Sequence, residues 1–290
     1  MLFWEHLLHH QFLQFALIGG FLASIACGVI GSFVVVQRAT YVAGAISHCV
    51  LGGMGAAHYL HRVHEITWLT PLIGATFSAI LAALIISAIS IWGNQRQDTI
   101  LSAIWAVGMA VGISFITATP GYYEDLMSYL FGNILMIGKT DIIHMILLDV
   151  FILLVILLFY NKFLVVSFQP QLARLRGVRV ELYQTLLLIL ISLTVVLLTQ
   201  VVGLILVIAL ITLPAATSLQ FSNRLWTAMI LATFLCFGFI SSGIAISYVP
   251  ELPAGATIIQ VAGTTFLLVM LAKWLLTLKS KKQAIKNFEN

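Results

Sequence analysis

Eight histidines stand out in a 290-residue chain that holds only 14 Lys and Arg and 10 Asp and Glu. His48 sits in the run AGAISHCVLGGMG (43–55), inside a long apolar stretch. An imidazole in hydrocarbon is costly unless it faces a cavity or a partner, so such a residue is a candidate for a transport path. Its neighbours Gly44, Ala45, Ser47, Gly52, Gly53 and Gly55 are small, which permits either close helix packing or a water-filled groove beside the ring. A plain hydrogen bond to a carbonyl on the next helix would also account for it. Further along, His58, His61 and His64 precede Glu65. At about 100° per residue, a continued helix would place His58, His61 and Glu65 on one side. Two imidazoles and a carboxylate suit zinc or another borderline divalent cation, as a relay near a pore mouth. Histidines at a membrane interface without a ligand are the bland alternative. His6, His9 and His10 form a third group with a weaker claim.

Other chemistries find no support. There is no GxxxxGK[ST] phosphate loop, GxSxG or HExxH, so the chain is expected neither to bind ATP in the P-loop manner nor to be an enzyme. Cys27, Cys49 and Cys236 show no CxxC spacing and read as small hydrophobes.

The elements that must position these residues follow from composition. At 61% hydrophobic, 8% charged and a mean hydropathy of +1.08, the chain cannot cover a globule with polar side chains. A soluble enzyme or a nucleic-acid-binding domain is excluded. The apolar content suffices for eight or nine membrane helices of about 20 residues each. Candidate spans are 12–36, 41–60, 68–92, 99–118, 142–166, 182–200, 201–219, 225–249 and 256–278. These runs are continuous and not alternating, which predicts an all-α polytopic bundle and not a barrel. The start, MLFWEHLLHH, lacks the basic region of a cleavable signal, so the first span is expected to stay. The whole chain, 1–290, reads as a single transmembrane domain.

Basic loops stay cytoplasmic. Lys162, Arg174, Arg176 and Arg179, and the tail with Lys279, Lys281, Lys282 and Lys286, therefore mark the inner side, together with Arg38, Arg96 and Arg224. Glu5, Glu65, Glu124, Asp125 and Glu251 fall outside, with Arg62. Such a mouth raises the local cation concentration, although loops also need charge for solvation alone. Two places break the regular count. Residues 122–140 are too short after their acidic start to cross, and predict a helix lying on or re-entering the outer side. The 38 residues of 182–219 exceed one span, and Gly203 and Pro214 can divide them into two helices, the second short or bent.

Five stretches, SFVVVQRATYVAGAISHCVLGG (32–53), ILSAIWAVGMAVGISFI (100–116), DLMSYLFGNIL (125–135), VVGLILVIALITLPAATSL (201–219) and GIAISYVPELPAGATII (243–259), occur in that order. Together they resemble the permease subunits of ATP-binding-cassette importers for zinc, manganese or iron, over residues 12 to about 278. The resemblance implies alternating access in the bacterial cytoplasmic membrane and a homodimer with the path at its interface. It also implies separate cytoplasmic ATPase subunits and an extracytoplasmic metal-binding protein. The transported divalent metal would be cargo, and no cofactor is expected in this subunit. The loop SFQPQLARLRGVRVE (167–181) looks like the family's coupling segment, with Ala173 and Gly177 allowing a short helix to dock. The family's second-helix motif reads Gly-Asp-Ala-x-Ser-His; here Gly44 takes the Asp place and His48 remains. Gln169 and Glu251 also depart, standing where an acidic residue and an Asp are common. Metal contacts are thus expected at His48, with His58, His61 and Glu65 as compensating donors. Histidine richness tilts the metal toward zinc, with manganese and iron open. The competing reading is a proton- or sodium-driven secondary transporter with His48 as the titrating group.

Overall fold

A computed structural model describes residues 11–92, 97–120, 132, 134–204, 206–248, 250 and 252–288. Among them every regular element is a helix. The helices are α1 (Gln11–Val36), α2 (Thr40–Val63), α3 (Pro71–Trp92), α4 (Gln97–Ala118), α5 (Lys139–Phe168) and α6 (Pro170–Leu175). They continue with α7 (Val180–Val202), α8 (Val207–Ser218), α9 (Leu225–Tyr248) and α10 (Ala254–Phe288), and a 3-10 turn covers Ile134–Met136. Seven of them, α1, α3, α4, α5, α7, α9 and α10, are long and apolar enough to cross a membrane. With 24 residues α2 is equally long, and at 1.5 Å per residue it too can span about 30 Å of hydrocarbon. His48, His58, His61 and Arg62 set it apart by lowering its hydropathy.

Two groups of helices form the bundle. In one, α2 packs between α3 and α4; in the other, α1 packs against α5, α8 and α9, with α10 on α9. Helix α7 touches members of both. Its residues Leu187, Leu190, Ile191, Val195, Val196 and Leu198 are buried with Leu13, Ile30 and Phe33 of α1. Outward-facing residues such as Val107 of α4, Leu158 of α5 and Leu268 of α10 are apolar and exposed, as a lipid-facing surface requires.

The division of 182–219 takes an asymmetric form. Gly203, at φ +77°, ends α7 in a backbone conformation that favours glycine, and α8 begins only at Val207. Twelve residues rise about 18 Å, so α8 alone does not cross, and the expected 201–219 span is corrected to this short helix. Pro214 lies inside α8 and does not end it. A proline at 214 leaves the carbonyl of Leu210 without its helical N–H. The Cys27 thiol of α1 donates to that carbonyl at 2.8 Å.

Of 122–140, residues 122–131 and 133 lie outside the described residues, so the expected outer helix there is not described. The part beyond it seats Ile134 and Ile137 in the core, against Gly20 and Gly19 of α1. Asp141 then accepts the Gly138 N–H at 3.0 Å as α5 starts.

At the other end, α5 bends at Phe159, whose backbone (φ −113°, ψ 15°) leaves the helical region. The rings of Phe159, Phe163 and Tyr183 meet edge to face there, and Phe33 of α1 joins Phe163. Below the bend α6 turns away, with Ala173 fully buried against Val166 and Val180. Gly177, at φ +72°, reverses the chain into α7.

Candidate functional site

Helix α2 carries the site because its small residues let two neighbours approach its backbone. A Cβ added at Gly52 would lie 2.9 Å from the Gly108 carbonyl oxygen of α4, and one at Gly55 2.7 Å from that of Gly112. On another side Gly53 abuts Gly74 of α3. The small-residue run thus serves close packing, the mode that drives helix association in lipid.

His48 projects from this tightly held helix and is 9% exposed. Its ring stacks on the Trp105 indole of α4, with centroids 4.3 Å apart and planes 14° from parallel. Beside it, a Cβ on Gly44 would meet Ile208 Cδ1 of α8 at 3.1 Å and Trp105 Cζ3 at 3.4 Å. The place where the resemblance sets a carboxylate is therefore occupied by indole and isoleucine. A cavity of about 140 Å³ opens beyond the start of α2, lined by Gln37, Val42, Ser87, Ser90, Gln184 and others from α3, α4 and α7. Val42 is six residues from His48 along the helix, so this cavity lies below the ring on the side that Arg38 marks as inner.

The remaining candidate donors are spread along the outer end of α2. His58 is buried. His61 Nδ1 lies 3.2 Å from the Ile66 carbonyl oxygen, and His64 meets the Tyr59 ring edge-on. The helix ends at Val63, and Glu65, exposed and at φ +54°, stands outside it. The face shared by His58 and His61 therefore does not extend to Glu65. Among the described residues, no three His, Cys, Asp or Glu are gathered as a metal-holding group. His6, His9 and His10 lie outside the described residues, as do Glu124, Asp125 and Glu251.

Two residues escaped the sequence reading. Trp105 was hidden in an apolar helix, its role set by which helix packs on α2. Asp149, in the stretch MILLDVF of α5, was legible as a carboxylate in mid-span. It is 3% exposed.

The profile of the ABC 3 transport family matches residues 9–273. The chain belongs to the ABC 3 transport family. Members and relatives are alike over most of their length. An uncharacterized membrane protein of Synechocystis sp. is 38% identical over 261 residues, 90% of each chain. The manganese transport system membrane protein MntC of Halalkalibacterium halodurans is 35% identical, covering 92% of this chain and 89% of its own. The structure of PsaBC from Streptococcus pneumoniae in complex with Fab superposes with a TM-score of 0.82 at 32% identity, over 92% of this chain and 94% of that one. This ABC 3 chain is thus a multi-pass permease of the metal-importer type in the bacterial inner membrane, a transport subunit and not itself a catalyst.

Proposed function

We propose that the chain forms the membrane path of an ATP-driven importer for a divalent transition metal, with manganese ahead of zinc. The number of histidines favours zinc, but the described ones form no metal-holding group: His48, His58 and His61 are spread along α2, His64 follows its end and His144 lies on α5. Support for manganese comes from relatives named as manganese transport proteins, MntC of Halalkalibacterium halodurans and ScaB of Streptococcus parasanguinis.

One observation carries the site. His48 is a buried imidazole on a closely packed helix, stacked on Trp105, with a mostly apolar cavity beneath it to which Gln37, Ser87, Ser90 and Gln184 add polar groups. In this reading His48 contacts the ion in transit, while His58, His61 and Glu65 act as successive contacts nearer the outer mouth. A second copy of the chain completes the path. A cytoplasmic ATPase docks on the coupling segment 167–181, and an extracytoplasmic metal-binding protein delivers the ion.

The test is uptake of radiolabelled manganese and zinc by cells expressing the chain with its ATPase and binding protein, against His48→Ala. Loss of uptake with the protein still in the membrane is expected. Unchanged uptake would remove His48 from the path. Uptake driven by a proton or sodium gradient through the chain alone would favour the secondary transporter.

A further inference from the structure

Asp149 sits eleven residues into α5, on the face that also buries Met145, Ile152 and Ile156. Neither of its carboxyl oxygens has a hydrogen-bond partner, and both are sealed from solvent. The groups around it are neutral. Helix α1 contributes Cys27, its only ionisable residue, which lies beside Cys236 of α9 and within electrostatic reach of Asp149. Helix α7 carries Glu181 and Tyr183 at its inner end and no ionisable group among its buried mid-helix residues. On α5 itself, His144 and Lys162 are exposed, and Lys139 and Asp141 lie at the start of the helix. No cation faces the carboxyl from α1, α5, α7 or α9.

An unpaired carboxylate in such surroundings is too costly to persist, whereas the neutral acid is tolerated. A bound metal is not the answer, since no metal-holding group of three donors exists among the described residues and the Cys27 thiol is engaged with the Leu210 carbonyl. We propose that Asp149 is a proton-binding site within the membrane, occupied while α1 is packed on α5. By linkage, this packed arrangement takes up a proton relative to any conformation in which water reaches Asp149, so alkaline pH favours loosening of α1 from α5. The site belongs to the α1–α5–α9 group and is independent of the metal reading, since it involves neither α2 nor a metal.

Infrared spectroscopy of the purified full-length chain at neutral pH is expected to show a protonated-carboxyl stretch that D149N lacks and that native protein loses as pH rises. Alkylation of Cys27, followed by mass spectrometry, is expected to accelerate with pH more in native protein than in D149N; an ionised Asp149 would by itself oppose thiolate formation at Cys27 and slow the reaction, so faster alkylation in native protein reports loosening. Absence of the stretch at neutral pH, its persistence unchanged at alkaline pH, or identical Cys27 profiles in the two proteins would each overturn the proposal. Should D149N fail to accumulate, the pH dependence of the stretch in native protein alone decides.

Discussion

Replacing His48 by alanine removes an imidazole and also half of a ring stack. The stack contributes about 1 kcal/mol, as aromatic pairs do beyond their buried area. His48→Ala is therefore expected to lower thermal stability slightly while abolishing metal uptake, and Trp105→Ala to reproduce the small stability loss with the imidazole still present. Comparing uptake in the two separates ligand from support: if Trp105→Ala is as inactive as His48→Ala, the stacked orientation matters as much as the nitrogen. Gly44→Asp tests the missing carboxylate. Its Cβ would meet only the ends of the Ile208 and Trp105 side chains, at 3.1 and 3.4 Å, so the bundle should accept it with those side chains displaced. Metal affinity measured by calorimetry is expected to rise, while a loss of folded protein would show that the indole cannot give way. At this scale the sequence was legible where cost betrays function, since an imidazole at position 48 has no cheap place in hydrocarbon. It was not legible where contacts decide. The end of α2 at Val63, which removes Glu65 from the shared face, and the choice of Trp105 as stacking partner both depend on neighbours distant in sequence.

Helix α8 shows how an element can contradict its own sequence signal. Gly203 ends α7 as its length and position suggest, but Pro214, the stronger breaker by propensity, stays inside a helix. The cost of the proline falls on the Leu210 carbonyl, and the Cys27 thiol of α1, 183 residues away in sequence, satisfies it. That compensation cannot be read from a local window. A double-mutant cycle makes it measurable. Cys27→Ala alone leaves a buried carbonyl unsatisfied and is expected to cost about 1–3 kcal/mol in thermal unfolding of the detergent-solubilised protein. Pro214→Ala restores an N–H to the same carbonyl, so in that background Cys27→Ala should cost clearly less. Equal cost in both backgrounds would show that the thiol fills space and does not cap the proline. The packing of α2 gives a companion prediction. Gly55→Ala forces a methyl group to 2.7 Å from the Gly112 carbonyl oxygen, so α2 and α4 must separate. Overpacking of this kind costs about 1–3 kcal/mol, and uptake should fall with stability because the same contact positions His48 against Trp105.

For the molecule as a whole, the proposed docking of an ATPase on 167–181 raises the question of how a push on that segment would reach α2. The inner end is built as a short lever: α6 hangs from α5 below the bend at Phe159 and is clamped by Ala173 between Val166 and Val180. The Phe159, Phe163 and Tyr183 rings tie that bend to α7, which in turn touches α1, α2 and α3. A push on α6 thus has a continuous packed route to both helix groups, without passing through lipid-facing surface. Leu175 is the residue on which the docking reading can be tested, because it is 86% exposed at the tip of α6 and supports nothing within this chain. Leu175→Glu is expected to leave expression and thermal stability unchanged while reducing uptake and metal-stimulated ATP turnover in the assembled importer. Glu181→Gln is the control for charge in the same loop. Its bridge to Arg174, 2.7 Å long between two largely exposed side chains, contributes about 0–1 kcal/mol, so the variant should behave as native. Ala173→Arg should differ from both, since no space exists for the side chain between Val166 and Val180 and the lever itself would be dislodged. If Leu175→Glu transports normally while Ala173→Arg merely unfolds, the segment is a structural turn, and the force must enter the bundle elsewhere.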